Sequence, residues 1–232
     1  MRSLAITALV LCTASAAQAY SSSYIPYMNV GDSIVSANTM NYLSKHLYGT
    51  GAAAGDKAPP ARSTATAATV LPNMAPGGTP RKLAENYPPA ARAEVERTFT
   101  RLLTGYKEME KQLNVPANDV AGAVAAFIAG SYMAYRDVDF ADADFKTLVG
   151  QMRQVISANP EFQRASLPQK QEMYEQMAII GTSMALTRDA LKQQPNPQLA
   201  ANVRQAAKAY LEQFLKTDAD RVQIDAKGLS IR

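Results

Sequence analysis

From Val120 to Tyr135 the chain reads VAGAVAAFIAGSYMAY, with no charge between Asp119 and Arg136. Such a run must be covered by other elements. Val124, Phe127, Ile128 and Tyr132 recur at helical spacing, and Ala121, Gly122, Ala125, Ala126, Ala129 and Gly130 occupy the remaining faces with side chains small enough for neighbouring helices to approach closely. The run is Ala/Gly-rich and falls short of the roughly 20 apolar residues that cross a bilayer. It predicts a buried helix around which amphipathic helices assemble.

The extreme N-terminus carries a different signal. Arg2 is followed by the uncharged stretch Ser3 to Ala16 and then by Ala17-Gln18-Ala19, small residues at the two positions a signal peptidase reads. Met1 to Ala19 therefore has the form of a secretory signal cleaved after Ala19, leaving Tyr20 as the first mature residue. Cys12, the single cysteine, lies inside it, so the mature chain is expected to have no thiol, disulfide or cysteine ligand. Leu11 precedes Cys12 and the apolar run continues past it, which argues against lipid anchoring. Export without disulfides points to the periplasm of a Gram-negative-like cell or to secretion from it.

The remaining chain divides by composition. Residues 20–48 form an arm with Tyr20, Tyr24, Tyr27, Tyr42 and Tyr48, in which Asp32 is placed to cap a short helix over Ile34, Met40, Leu43 and Leu47. Residues 49–82 are dominated by Gly, Ala, Pro, Ser and Thr. So little large apolar surface cannot offset the entropy of ordering, and the stretch is expected to be a disordered linker. Residues 83–232 hold the folded part, and a chain of 232 residues, 47% of them hydrophobic, suits one such domain.

Five main helices are expected there, over Pro88 to Leu215. In the first, beginning at Pro88-Pro89, Val95, Phe99, Leu102, Tyr106, Met109 and Leu113 alternate spacings of four and three. Its outer face pairs Arg92 with Glu96, Glu94 with Arg97 and Glu108 with Lys111. Asn118 or Asp119 caps the central helix. Phe145, Leu148, Val149, Met152, Val155 and Ile156 mark a third helix that stops before Asn159-Pro160. Ser166-Leu167-Pro168-Gln169 matches the capping box and opens a fourth, with Met173, Met177, Ile180 and Met184 on one seam beside Ala178, Gly181 and Ala185. That small-residue face makes the fourth helix the expected partner of the central one. Asn196 caps a fifth, whose stripe is Leu199, Val203, Ala206, Tyr210 and Phe214. The tail changes period: Val222 and Ile224, then Leu229 and Ile231, alternate as the strands of a small hairpin would. The fold class is all-α, a bundle with an N-terminal linker and a short extended tail.

Chemistry-bearing patterns are sparse. His46 is the only histidine, so zinc and haem lack ligands. Asp137, Asp139, Asp142 and Asp144 are dense enough for calcium, but the run lacks the glycine turn and distal glutamate of an EF-hand and reads as an acidic helix start. No metal, cofactor or catalytic residue is implied. Carboxylates for glycoside cleavage would have to come from Glu172, Glu175 and Asp189, of which Glu172 and Glu175 read as helix surface beside Lys170 and Gln171. Met109, Met133, Met152, Met173, Met177 and Met184 either pack the core or line an adaptable groove for a small apolar ligand or a partner helix. Tyr132, Tyr135 and Tyr174 need hydroxyl partners, which Gln171 or Arg153 can supply. The candidate binding residues are thus Tyr132, Tyr135, Gln171, Tyr174 and Met177. Without Arg2, 23 basic residues face 20 acidic ones, a mature charge of +3 spread along helices, which does not make a nucleic-acid footprint.

Leu83-Ala84-x-x-Tyr87-Pro88, Asn118-Asp119-Val120-Ala121 and Lys170-Gln171-x-x-Tyr174-Glu175 resemble a domain-of-unknown-function family of exported proteobacterial proteins, over about Leu83 to Arg232. The resemblance implies an exported α-helical domain and carries no activity with it. The functional expectation is an exported, non-enzymatic binding or scaffold domain that meets a protein or cell-envelope partner. The alternatives are a cell-wall hydrolase using carboxylates and a carrier of a small apolar ligand.

Overall fold

The computed structural model describes residues 68–73 and 75–232. The signal, the tyrosine-rich arm, Cys12, His46 and most of the compositional linker lie outside the described residues. The elements in order are α1 (Thr79–Ala84), α2 (Arg92–Gln112), α3 (Val120–Arg136), α4 (Asp142–Ser157), α5 (Pro160–Arg164), α6 (Leu167–Gln193), α7 (Pro197–Leu215), a 3-10 turn (Ala219–Arg221), β1 (Val222–Asp225) and β2 (Gly228–Ile231). The architecture is an all-α bundle with a two-stranded antiparallel hairpin.

The charge-free run is α3, and it is buried on almost every side. Asp119 caps it by accepting from the Ala121 amide at 3.1 Å. α6 lies along α3 as its most extensive partner, and α7 and α4 cover other faces. The pairing of α3 with α6 is decided by two glycines. A Cβ built on Gly130 would lie 2.2 Å from the Gly181 carbonyl oxygen, and one on Gly181 would lie 2.4 Å from that of Ala126. Gly122, by contrast, faces Val115 and the Tyr106 hydroxyl rather than α6. Phe127 sits edge-on to Phe214 at 5.0 Å between ring centroids, which fixes α7 on the same core.

The caps fall where the sequence places them. Ser166 and Gln169 close a capping box at α6, and the Asn196 side chain accepts from the Leu199 amide at α7. Four local expectations are corrected. α2 starts at Arg92 rather than at Pro88-Pro89, which lie in the turn after α1. Val155, placed on the apolar stripe of α4, is 44% exposed. The short helices α1 and α5 were not expected. Of the three ion pairs expected on α2, Glu108 and Lys111 meet at 2.7 Å, while Arg92 donates instead to the Tyr87 carbonyl.

The end of the compositional linker packs on the bundle as a strap. Val70 bridges to Asp119, the Leu71 amide donates to the Asn118 carbonyl at 3.0 Å, and Leu71 and Thr79 are buried. Backbone groups at Leu71, Ala75 and Gly77 make hydrogen bonds that hold it, so few apolar side chains are needed. At the other end of the chain, β1 and β2 pair with Ile224 opposite Leu229 and Asp225 opposite Gly228. Gln151 of α4 takes the place of a third strand: its Nε2 donates to the Leu229 carbonyl at 2.8 Å and its Oε1 accepts the Leu229 amide at 2.7 Å. Gly228, at φ 95°, lets the hairpin turn against that same side chain.

Candidate functional site

Two polar centres are built where the strap crosses the bundle. At the first, the opening turns of α6 present Gln171, Glu172 and Glu175, the last two spaced to share a face. Glu175 is 2% exposed, which corrects its reading as a surface residue. Its Oε1 accepts the Gly77 amide at 2.8 Å and the Gln171 side-chain amide at 3.0 Å. Gln171 also donates to the Ala75 carbonyl at 2.7 Å. Lys82 closes on Glu172 at 3.2 Å. A carboxylate held this way recognises backbone, and what it recognises here is the chain's own strap.

The second centre gathers five elements. Tyr106 and Glu110 lie one turn apart on α2, Asp119 caps α3, Arg153 comes from α4, Tyr174 from α6, and Thr69 from the strap. The Tyr174 hydroxyl donates to Glu110 Oε2 at 2.9 Å, and its ring meets that of Tyr106 edge-on at 5.8 Å. Arg153 grips Asp119 Oδ2 through Nε and a terminal nitrogen, both at 2.7 Å, while Thr69 donates to Oδ1 at 2.7 Å. Glu110 is 1% exposed and Asp119 fully buried. Burial pushes the Glu110 carboxyl up from 4.5 to about 7, against the opposing pull of the Tyr174 hydrogen bond. Burial, together with the Glu110 charge, also raises Tyr106 and Tyr174 well above the usual tyrosine range. Among the described residues, Glu110 Oε1 and the Tyr106 hydroxyl find no hydrogen-bond partner. The centre can hold a proton near neutral pH, but its groups lie behind the strap and are packed rather than presented.

The five candidate binding residues do not converge. Gln171 and Tyr174 belong to the strap-side centres. Met177 is fully buried, as are Met152, Met173 and Met184 to within 3%, so these methionines pack the core. Tyr132 is half-buried against it. Tyr135 lies on the last turns of α3, where its hydroxyl donates to Asp220 at 2.7 Å and Arg136, Arg204 and Lys208 stand around its ring at 5.1, 5.7 and 5.8 Å from the centroid. The hydroxyl partners are therefore Glu110 and Asp220, not Gln171 or Arg153. Met109 and Met133 do line an apolar cleft, with Leu113, Phe145, Ala185 and Leu186, but it holds only about 40 Å³. Asp137 and Asp139 pair with the buried Arg188 at 2.9 and 2.7 Å, and Asp142 and Asp144 occupy the first turn of α4. Among the described residues, no three acidic, histidine or cysteine side chains are placed to hold a metal ion. No described helix is long and apolar enough to cross a membrane.

Sequence reasoning missed Glu110 and the strap. Glu110 follows Tyr106 by four and precedes Leu113 by three, both on the apolar seam, and that spacing is the signal that could have placed it inside.

The model of DUF6683, a family of unknown function, matches residues 1–232, and the chain belongs to that family. The match is wider than the stretch Leu83 to Arg232 that carries the resemblance in the sequence. No curated protein and no solved structure matches.

Proposed function

We propose that this member of a family of unknown function is an exported, non-enzymatic binding or scaffold domain, in which the helical bundle anchors an N-terminal arm that meets a protein or cell-envelope partner. The observation that carries this reading is the strap clamp. Glu175 and Gln171 engage the backbone at Gly77 and Ala75, and Thr69 donates to Asp119, so the chain is held against the bundle back to residue 69. The secretory form of Met1 to Ala19 supports export, and the family match spans the arm as well as the bundle.

The engagement of the carboxylates favours this reading over a hydrolase. Glu172 pairs with Lys82, Glu175 with the strap and Asp189 with Arg188 at 3.2 Å, so a pair free to flank a glycosidic bond would first have to give up its partners. The cleft of about 40 Å³ is far below the roughly 300 Å³ at which small-molecule pockets begin, which weighs against a carrier. The test is sedimentation with purified cell envelopes. The mature chain is expected to co-sediment, and replacement of Tyr24, Tyr27 and Tyr42 by alanine is expected to abolish this while leaving the thermal melt unchanged. Release of fragments from purified peptidoglycan that Glu172→Gln or Glu175→Gln abolishes would refute the binding reading.

A further inference from the structure

The strap is fastened to the same two residues whose amides act on Glu110. On the inner side, the backbone amides of Asn118 and Asp119 favour the charged form of the Glu110 carboxyl. On the outer side, the Leu71 amide donates to the Asn118 carbonyl at 3.0 Å, the Asn118 side chain donates to Asn73 Oδ1 at 3.2 Å, and the Thr69 hydroxyl donates to Asp119 Oδ1 at 2.7 Å. Among the described residues 69–77, Leu71 is the one apolar side chain that is buried. The other covers of the centre are α2, α3, α4 and α6, each of which commits an apolar face to the core. A segment with so few buried apolar contacts belongs to the low end of local stability.

Charge in this centre is unevenly matched. Around the Glu110 carboxyl stand Tyr106 from α2, Asp119 at the start of α3, Arg153 from α4 and Tyr174 from α6, and Glu175 lies close enough to act on Tyr174. The strap brings only the uncharged Thr69. Arg153 is the cation of that set, and it is spent on Asp119. Tyr174 satisfies Glu110 Oε2, while Oε1 is buried with no partner among the described residues. An ionised Glu110 is therefore short of a cation and of a donor, and water supplies the donor once one cover lifts. A protonated Glu110 has no such need. We propose that the strap is a proton-linked latch: protonation of Glu110 keeps residues 69–73 seated on Asn118 and Asp119, and its ionisation lifts them so that water reaches the carboxylate. Lifting carried on to Gly77 adds residues 69–77 to the chain ahead of the bundle, roughly 30 Å of reach. The latch does not depend on what the arm binds.

Hydrogen exchange at single amides tests the latch. In the isotope-labelled full-length chain, the Leu71 amide reports lifting of the strap, and the Ile128 amide, inside α3, reports global unfolding. Burial holds the Glu110 carboxyl at about 7 with the strap seated, against 4.5 once water reaches it. Closure is thus fully supported below about pH 4.5 and loses that support as pH climbs to about 7. Opening at Leu71, corrected for the intrinsic pH dependence of exchange, is expected to rise roughly fiftyfold between about pH 5 and about pH 7.5 and to exceed opening at Ile128 throughout. Glu110→Gln, neutral at every pH, is expected to stay near the value of the parent at about pH 5. Tyr174→Phe removes the hydrogen bond that lowers the Glu110 carboxyl and should move the rise to higher pH. Opening at Leu71 that is level across this range, that never exceeds opening at Ile128, or that keeps its slope in Glu110→Gln would overturn the proposal, as would a rise that Tyr174→Phe leaves unmoved.

Discussion

Gly181→Ala adds one methyl group at the closest point of the α3–α6 pair, and the structure fixes where it must go. The new Cβ would lie 2.4 Å from the Ala126 oxygen, 2.5 Å from its carbonyl carbon and 2.6 Å from the Phe127 nitrogen. All three are backbone atoms, so no rotamer change relieves the clash. Ordinary contact begins near 3.4 Å, and the two helices must therefore part by about 1 Å. A gap of that size forfeits a quarter to a half of the dispersion well for each pair of atoms it separates, and α3–α6 is the longest seam in the bundle. Overpacking costs about 1–3 kcal/mol, with the upper end appropriate to a rigid neighbour. Alanine returns about 1 kcal/mol of helix propensity. The net loss is about 2 kcal/mol, which for a chain of this size lowers the melting temperature by roughly 4–8 °C. Gly150→Ala is the matched control. It lies inside α4 with nothing within 4 Å of its added Cβ, so it should gain propensity alone and melt slightly above the parent. If thermal unfolding followed by circular dichroism placed Gly181→Ala level with Gly150→Ala, the close α3–α6 approach would be wrong, and the core built on it would fall too.

The strap-side centres give two further predictions. Because the folded-state carboxyl of Glu110 is raised above its unfolded value, its contribution is fully present below about pH 4.5 and lost as pH climbs to about 7, a loss on the order of 3 kcal/mol; chemical denaturation at about pH 5 and about pH 8 should show the difference, and Glu110→Gln should remove most of it. Arg153→Met leaves Asp119 fully buried without its cation, and should cost about 3–5 kcal/mol in urea unfolding, more than Asp119→Asn, which removes the stranded charge itself.

The helices were legible because their signals are local. A charge-free run flanked by Asp119 and Arg136, a capping box at Ser166 and an Asn196-Pro197 start each declare themselves within a few residues, and each stands in the structure. The Gly181 face was legible for a related reason: glycine inside a long helix carries a cost that close packing explains. Local signals also misled. Val155 fits the apolar period of α4 and is nevertheless 44% exposed, because a stripe predicts which face is apolar and not how far a neighbouring element extends to cover it.

What the sequence hid are contacts across long separations, made by groups that carry no local pattern. The Gly77 amide and the Glu175 carboxylate are 98 positions apart, Tyr174 and Glu110 are 64 apart, and Thr69 and Asp119 are 50 apart. In two of the three the group from the linker is a backbone amide or a small hydroxyl, which composition counts as evidence for disorder. A Gly/Ala/Pro-rich segment cannot order itself by burying its own side chains. It can still be ordered by a surface that supplies acceptors at the right places, and here the bundle supplies Glu175, Gln171 and Asp119. The same reasoning explains why Glu172 and Glu175 read as a solvated face. Their helical spacing beside Lys170 and Gln171 is the pattern of an exposed stripe; Glu175 is buried where the chain's own strap lies across it, while Glu172 stays part-exposed against Lys82. Residues that look free for chemistry in a sequence are thus, in this fold, the ones that bind its N-terminal segment to its core.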